Sequence, residues 1–116
     1  MRLQVKGKNV EVSASVRQYA ESKLKKLDRQ LAEETQVELE LSEEKNPSIA
    51  DGHVAEATVF AKGVTLRARE SSRDVRASID SLVDNLQRQI QRYRDKRRHE
   101  RRRRTEHKNT GSNGPG

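Results

Sequence analysis

The sequence predicts an α+β fold with elements in the order β-α-β-β-β-α: a four-stranded mixed sheet with two helices packed on one face. Three observations carry this. Four short segments alternate apolar and polar residues, and two longer ones repeat apolar residues near every 3.6 positions. Each strand segment has one apolar and one polar face, so one side of the sheet needs covering. A chain of 116 residues allows one domain with a tail.

Residues 2–7 form the first strand, with Leu3 and Val5 on one face and Arg2, Gln4 and Lys6 on the other. Ser13 is placed to N-cap a helix over 14–32, because its hydroxyl can accept from a free N–H of the first turn. Val16, Tyr19, Ala20, Leu24, Leu27 and Leu31 make the apolar stripe of that helix. Residues 35–42 alternate strictly, with Val37, Leu39 and Leu41 inward. The stretch 43–52 holds Asn46-Pro47 and Asp51-Gly52 and reads as a loop. Residues 53–61 follow as a strand with Ala55, Ala57 and Val59 inward. Lys62-Gly63 is a tight hairpin turn in which Gly63 supplies a positive φ. Residues 64–70 form the fourth strand, with Val64, Leu66 and Ala68 inward. A second helix starts near Ser72 and buries Val75, Ile79, Leu82, Val83, Leu86, Ile90 and Tyr93.

A βαβ crossover is right-handed, which puts the first helix on one sheet face, and the last helix returns to that face. In sheet order 1-2-3-4 the opposite face carries Arg2 and Lys6, then Glu38 and Glu40, then Glu56, then Arg67 and Arg69. Two of the three strand interfaces then pair opposite charges, each pair contributing a few tenths of a kcal/mol to about 1 kcal/mol. This face reads as solvated structure rather than a binding site.

Composition narrows the function. Formal net charge is +7, 37% of residues are charged and no cysteine is present. Without cysteine there is no disulfide framework, thiolate metal site or thiol catalysis. No apolar run approaches the roughly 20 residues needed to cross a bilayer, and the N-terminus has no apolar signal core. A cytoplasmic protein with an anionic partner is expected. The three aromatics, Tyr19, Phe60 and Tyr93, are too few for a base-stacking module.

The charge is uneven. Residues 1–87 hold 14 Lys/Arg and 15 Asp/Glu, while residues 88–108 hold 11 Lys/Arg and 3 Asp/Glu. Residues 1–97 therefore read as the folded domain, and 98–116 as a basic tail without order or a truncated linker. Arg dominates the run, and its planar fork suits phosphate.

On the second helix Asn85, Arg88, Gln89, Arg92 and Lys96 lie opposite or beside the apolar stripe. The spacing 88, 92, 96 aims cations along one line, roughly 6 Å per step. Arg97 falls back on the apolar line, so the helix must leave the core after Tyr93. On the first helix Lys25, Lys26 and Arg29 share a flank at 100° per residue, and Lys23 stands at the margin of the stripe, able to reach outward. Ordinary solvation with i, i+4 pairs is the competing reading for either helix alone. Two basic flanks on one sheet face fit double-helical RNA, read by shape and phosphate position.

The chain also resembles the family of ribosome hibernation promoting factors and ribosome-associated inhibitor A, the sigma-54 modulation proteins. The resemblance covers about residues 1–97. It is carried by the opening QVKGKNVEVSASVRQYAESKLKKLD and the block HVAEATVFAKGVTLRARESSRDVRASIDSLVDNLQRQIQRYRDK, most strongly over Glu70–Ile90. It implies the same β-α-β-β-β-α order, like that of double-stranded-RNA-binding domains. It further implies binding to the small ribosomal subunit (16S rRNA) and the 70S ribosome in the channel used by mRNA and tRNA. The consequence would be translation inhibition and hibernation in stationary phase or stress. Family rRNA-contact positions match Lys23, Lys26 and Arg29 on the first helix and Asn85, Arg88, Arg92 and Lys96 on the second. Asn85 departs from the Lys frequent in relatives, and Val75-Arg76 departs from their Met-Tyr. Long forms add a C-terminal dimerisation domain that does not occur in these 116 residues.

No cofactor, metal, membrane or small-molecule substrate is expected, and the isolated domain should be monomeric. His53, His99 and His107 lack ligand spacing, and the sequence holds neither a phosphate-cradling glycine-rich loop nor a nucleophile elbow. An enzyme is therefore not expected. The competing binding function is a general structured-RNA or RNA-chaperone module acting through the 94–104 run. DNA fits less well, because the exposed side of the second helix offers phosphate-length cations rather than a base-reading set.

Overall fold

The computed structural model describes residues 1–44 and 52–112, with side chains described through residue 98. The strands are β1 (Arg2–Lys8), β2 (Gln36–Glu43), β3 (His53–Ala61) and β4 (Val64–Ser72). The helices are α1 (Ala14–Leu24), continued by a 3-10 segment (Lys25–Gln30), and α2 (Val75–Ser112). The sheet order is β1-β2-β3-β4, with β1 parallel to β2 and the other pairs antiparallel. The α+β class, the element order and the mixed sheet match the sequence reading.

Register follows from the alternation. Leu3, Val5 and Gly7 pair with Val37, Leu39 and Leu41, which in turn pair with Val59, Ala57 and Ala55. A one-residue slip would turn every one of these side chains to the wrong face. Val5, Val37, Leu39, Leu41, Ala55, Ala57, Val59 and Ala68 form one core with Ala20, Leu24 and Leu27 and with Ile79, Leu82, Val83, Leu86 and Ile90. Helix α2 lies over β3 and β4, α1 lies beside β1, and the two helices touch along one seam. Val54 is buried outside this core, opposite Ser42 and Ser71. Simple alternation does not reveal that burial.

The polar face pairs as expected. Lys6 stands opposite Glu40 with Nζ 3.8 Å from Oε2, and Arg69 stands opposite Glu56 at 3.9 Å. Glu40 and Glu56 face each other across β2 and β3, so the flanking cations offset a like-charge pair. Arg69 also bonds the Glu44 carboxylate.

Local chemistry sets the boundaries. Ser13 caps α1, accepting from Val16 N–H at 3.2 Å. Gly7 is required by close approach, since a Cβ there would lie 2.2 Å from the Val10 carbonyl oxygen. At the β3–β4 turn, Gly63 has φ +80°, which a residue without Cβ adopts freely. The loop predicted over 43–52 begins one residue later. Its ends are joined by Glu44 N–H to Gly52 C=O at 2.8 Å, and its Asn46-Pro47 and Asp51 lie outside the described residues.

Two element boundaries differ from the sequence reading. The first helix does not run to residue 32 as an α-helix; after Leu24 it tightens to a 3-10 segment, and Leu31 is extended. Leu24 and Leu27 are fully buried, and the three-residue repeat of a 3-10 helix stacks them on one line into the core. Second, α2 starts at Val75 rather than Ser72. The Asp74 carboxylate accepts from Arg76 N–H at 3.1 Å and its carbonyl from Ser78 N–H at 3.0 Å, so Asp74 is the cap and β4 keeps Ser71 and Ser72. The α2 backbone continues past Tyr93, where it leaves the core, to Ser112.

Candidate nucleic-acid interface

The 3-10 segment redraws the first basic flank. At three residues per turn, side chains three apart eclipse. Lys26 and Arg29 therefore stand one above the other, while Lys25 aligns with Asp28. Asp28 is occupied by the N-terminal ammonium of Met1 at 3.1 Å. The single flank expected for Lys25, Lys26 and Arg29 at 100° per residue is replaced by two adjacent lines. All three cations are exposed and form no ion pair among the described residues.

Lys23 is not turned outward. Its Nζ lies 3.7 Å from Asp80 Oδ1 and 5.5 Å from the centre of the Tyr19 ring. Tyr19 donates its hydroxyl to the same Asp80 oxygen at 2.6 Å, and the Arg76 guanidinium lies 5.4 Å from the ring centre. These four residues lock the α1–α2 seam. The hydrogen bond to Asp80, then burial, then the Asp80 charge push the Tyr19 phenol above its ordinary value of 10.0.

On α2 the predicted stripe separates into two kinds of residue. Asn85 donates from Nδ2 to Glu70 Oε1 at 2.9 Å. Gln89 donates from Nε2 to Asn85 Oδ1 and to the Arg67 carbonyl, both at 2.8 Å. Both side chains are thus engaged in fastening α2 to β4. Arg88, Arg92 and Lys96 are exposed and form no ion pair among the described residues. An open cleft of about 370 Å³, lined by Gln30, Asp84, Gln87, Arg88 and Gln91, joins the end of the 3-10 segment to α2. Of the predicted cations Arg88 lines this furrow; Lys26, Arg29 and Arg92 are exposed but are not among its lining residues.

A second groove escapes the sequence reading. It is lined by Gln30, Leu31 and Thr35, by Ala61, Lys62 and Leu66 of the β3–β4 hairpin, and by Ile90, Tyr93, Arg94, Arg97 and Arg98 of α2. Arg94 and Arg98, one helical turn apart, were the available signal. Their neighbour Lys62 arrives from a hairpin that no local pattern places there. Among the described residues, no group of three or more His, Asp or Glu is placed to hold a metal ion, and no helix is long and apolar enough to cross a membrane.

A family model described as Sigma 54 modulation protein / S30EA ribosomal protein matches residues 3–98. The chain belongs to that family. The resemblance read from the opening segment and the block from His53 onward is thereby borne out. The family is one of ribosome-associated binding proteins and not of enzymes. A ribosome hibernation promotion factor of Picosynechococcus sp. is 42% identical over 81 residues, covering 69% of this chain and 42% of that protein. A ribosome hibernation promoting factor of Salmonella typhimurium is 33% identical over 82 residues, covering 71% of this chain and 81% of that protein. The match thus spans less than half the length of the first relative and most of the second. Among solved structures, the N-terminal domain of Thermus thermophilus Protein Y superposes with a TM-score of 0.68 at 32% identity, over 80% of this chain and 99% of that one.

Proposed function

We propose that this chain is a non-enzymatic, cytoplasmic ribosome-binding factor. It docks on 16S rRNA of the small subunit, fills the mRNA–tRNA channel and holds ribosomes idle. The observation that carries this reading is that the fold leaves the candidate cations of both helical elements unpaired. Lys25, Lys26, Arg29, Arg88, Arg92 and Lys96 have no ion pair among the described residues, whereas Lys6, Lys23 and Arg69 are paired within the fold. Unpaired cations are available to neutralise phosphate without first breaking an internal contact. Exposed cations presented by two rigid elements suit the regular phosphates of folded RNA. The names of the relatives support the same partner.

Co-sedimentation with purified small subunits across a salt series tests the proposal. Changing Lys26, Arg29, Arg88 and Arg92 together to Glu should abolish pelleting, and undiminished binding would overturn the proposed surface. Truncation after Lys96 distinguishes the other reading. Substantial binding should remain; its complete loss would instead favour a general RNA module acting through the Arg-rich run.

A further inference from the structure

We propose that the groove between the β3–β4 hairpin and α2 is a binding site for a nucleoside phosphate, bordering the furrow at Gln30, which lines both. Its volume is about 360 Å³, within the range of small-ligand sites. Its lining combines three features. Lys62, Arg94, Arg97 and Arg98 supply four cations, with no carboxylate among the described lining residues. Leu31, Ala61, Leu66 and Ile90 supply an apolar surface with the Tyr93 ring beside it. Gln30, which lines this groove and the furrow alike, has a side-chain oxygen that is shielded from solvent and accepts no hydrogen bond among the described residues.

Each feature constrains the ligand. Four cations without a counter-charge call for an anion, and three guanidinium forks favour phosphate. An anion alone gains nothing from the apolar surface, so the ligand carries a flat apolar part as well. An orphaned acceptor calls for an N–H donor on that part, because leaving it unpaired has a cost. The terminal torsion of a carboxamide is broad, so Gln30 can turn its oxygen toward an incoming donor. A nucleobase with an exocyclic amine, joined through its sugar to phosphate, meets all three requirements. The wall is built in advance. Tyr93 donates its hydroxyl to the Lys62 carbonyl at 3.1 Å, and Arg97 donates to that hydroxyl at 3.1 Å, with its guanidinium 5.7 Å from the ring centre.

The test uses the full 116-residue chain without ribosomes, so its outcome is independent of the proposed docking on 16S rRNA. Adenosine 5′-monophosphate is titrated against labelled protein by NMR and calorimetry, beside inorganic phosphate and purine riboside 5′-monophosphate, which lacks the exocyclic amine. Saturable shifts should centre on Leu31, Ala61, Lys62, Gly63 and Tyr93. The nucleotide should bind at least tenfold more tightly than phosphate and the amine-free analogue severalfold more weakly. Gln30→Met, which keeps side-chain length and removes the acceptor, should reduce the preference for the amine. Arg94→Glu with Arg98→Glu should abolish saturation while the amide spectrum stays folded. A single-stranded tetranucleotide distinguishes the source: tighter binding than the monomer assigns the site to an unpaired residue of an RNA strand, weaker binding to a free nucleotide, and either supports the groove. Equal affinity for nucleotide and phosphate, or saturable binding of an acidic peptide without any for nucleotides, would overturn the proposal.

Discussion

The Gln89 side chain donates from Nε2 to the main-chain carbonyl of Arg67 at 2.8 Å. Arg67 lies on β4, an outer strand of the sheet. At the other outer strand, Arg17 of α1 donates from Nη1 to the Val5 carbonyl at 2.8 Å. Each helix therefore caps an edge carbonyl of the sheet it covers. Unpaired edge groups template pairing with other chains, so both contacts fasten a helix and blunt an edge.

Gln89→Met removes the donor while keeping the length of the side chain. It should destabilise the fold by about 0.5–1.5 kcal/mol, the net contribution of one hydrogen bond, as read by urea unfolding. Combined with Arg17→Met it should raise self-association in sedimentation velocity. Small-subunit binding by the single variant should change less than twofold, because Gln89 is engaged within the fold.

The Tyr19–Asp80 contact predicts an alkaline signature. In a Tyr93→Phe background, absorbance titration should place the Tyr19 phenol above 10.0, and Asp80→Asn should bring it down. A phenol whose folded value is raised contributes stability that is fully present below pH 10. That contribution is lost as pH rises through the folded value. Thermal unfolding should therefore show the gap between wild type and Tyr19→Phe narrowing above pH 10 and constant at neutral pH.

Asp74 rather than Ser72 caps α2. Asp74→Ala should cost about 0.5–2 kcal/mol, whereas Ser72→Ala should change stability by less than about 0.5 kcal/mol. Urea midpoints of the two variants would decide between the caps.

Salt dependence separates contact cations from structural ones. For small-subunit binding, Arg88→Gln and Arg92→Gln should each lower the slope of log K against log salt by roughly 0.7–0.9. Lys23→Gln should leave the slope unchanged and lower thermal stability instead, because Lys23 is paired with Asp80 and Tyr19.

Much of the fold is legible in the sequence because periodicity is a local property. Alternation at 35–42 and 53–61 fixes which face Leu39 and Ala57 turn inward, and the 3.6-residue repeat from Val75 to Tyr93 fixes the buried side of α2. Ser13 and Gly63 announce a cap and a turn through their own chemistry. The family is legible in the same way, from contiguous stretches of residues.

Only the tertiary structure decides which polar residues are spent and which are free. Asn85, Gln89 and Lys23 look like Arg88, Arg92 and Lys26 on a helical wheel. Their partners Glu70, Arg67 and Asp80 come from other elements, 15, 22 and 57 positions away. A wheel gives direction, not distance, and cannot show what lies opposite. The same reason hides the 3-10 tightening after Leu24, which is set by the core that Leu24 and Leu27 enter. It also hides the groove, where Gln30, Lys62 and Arg94 meet although no short segment contains any two of them.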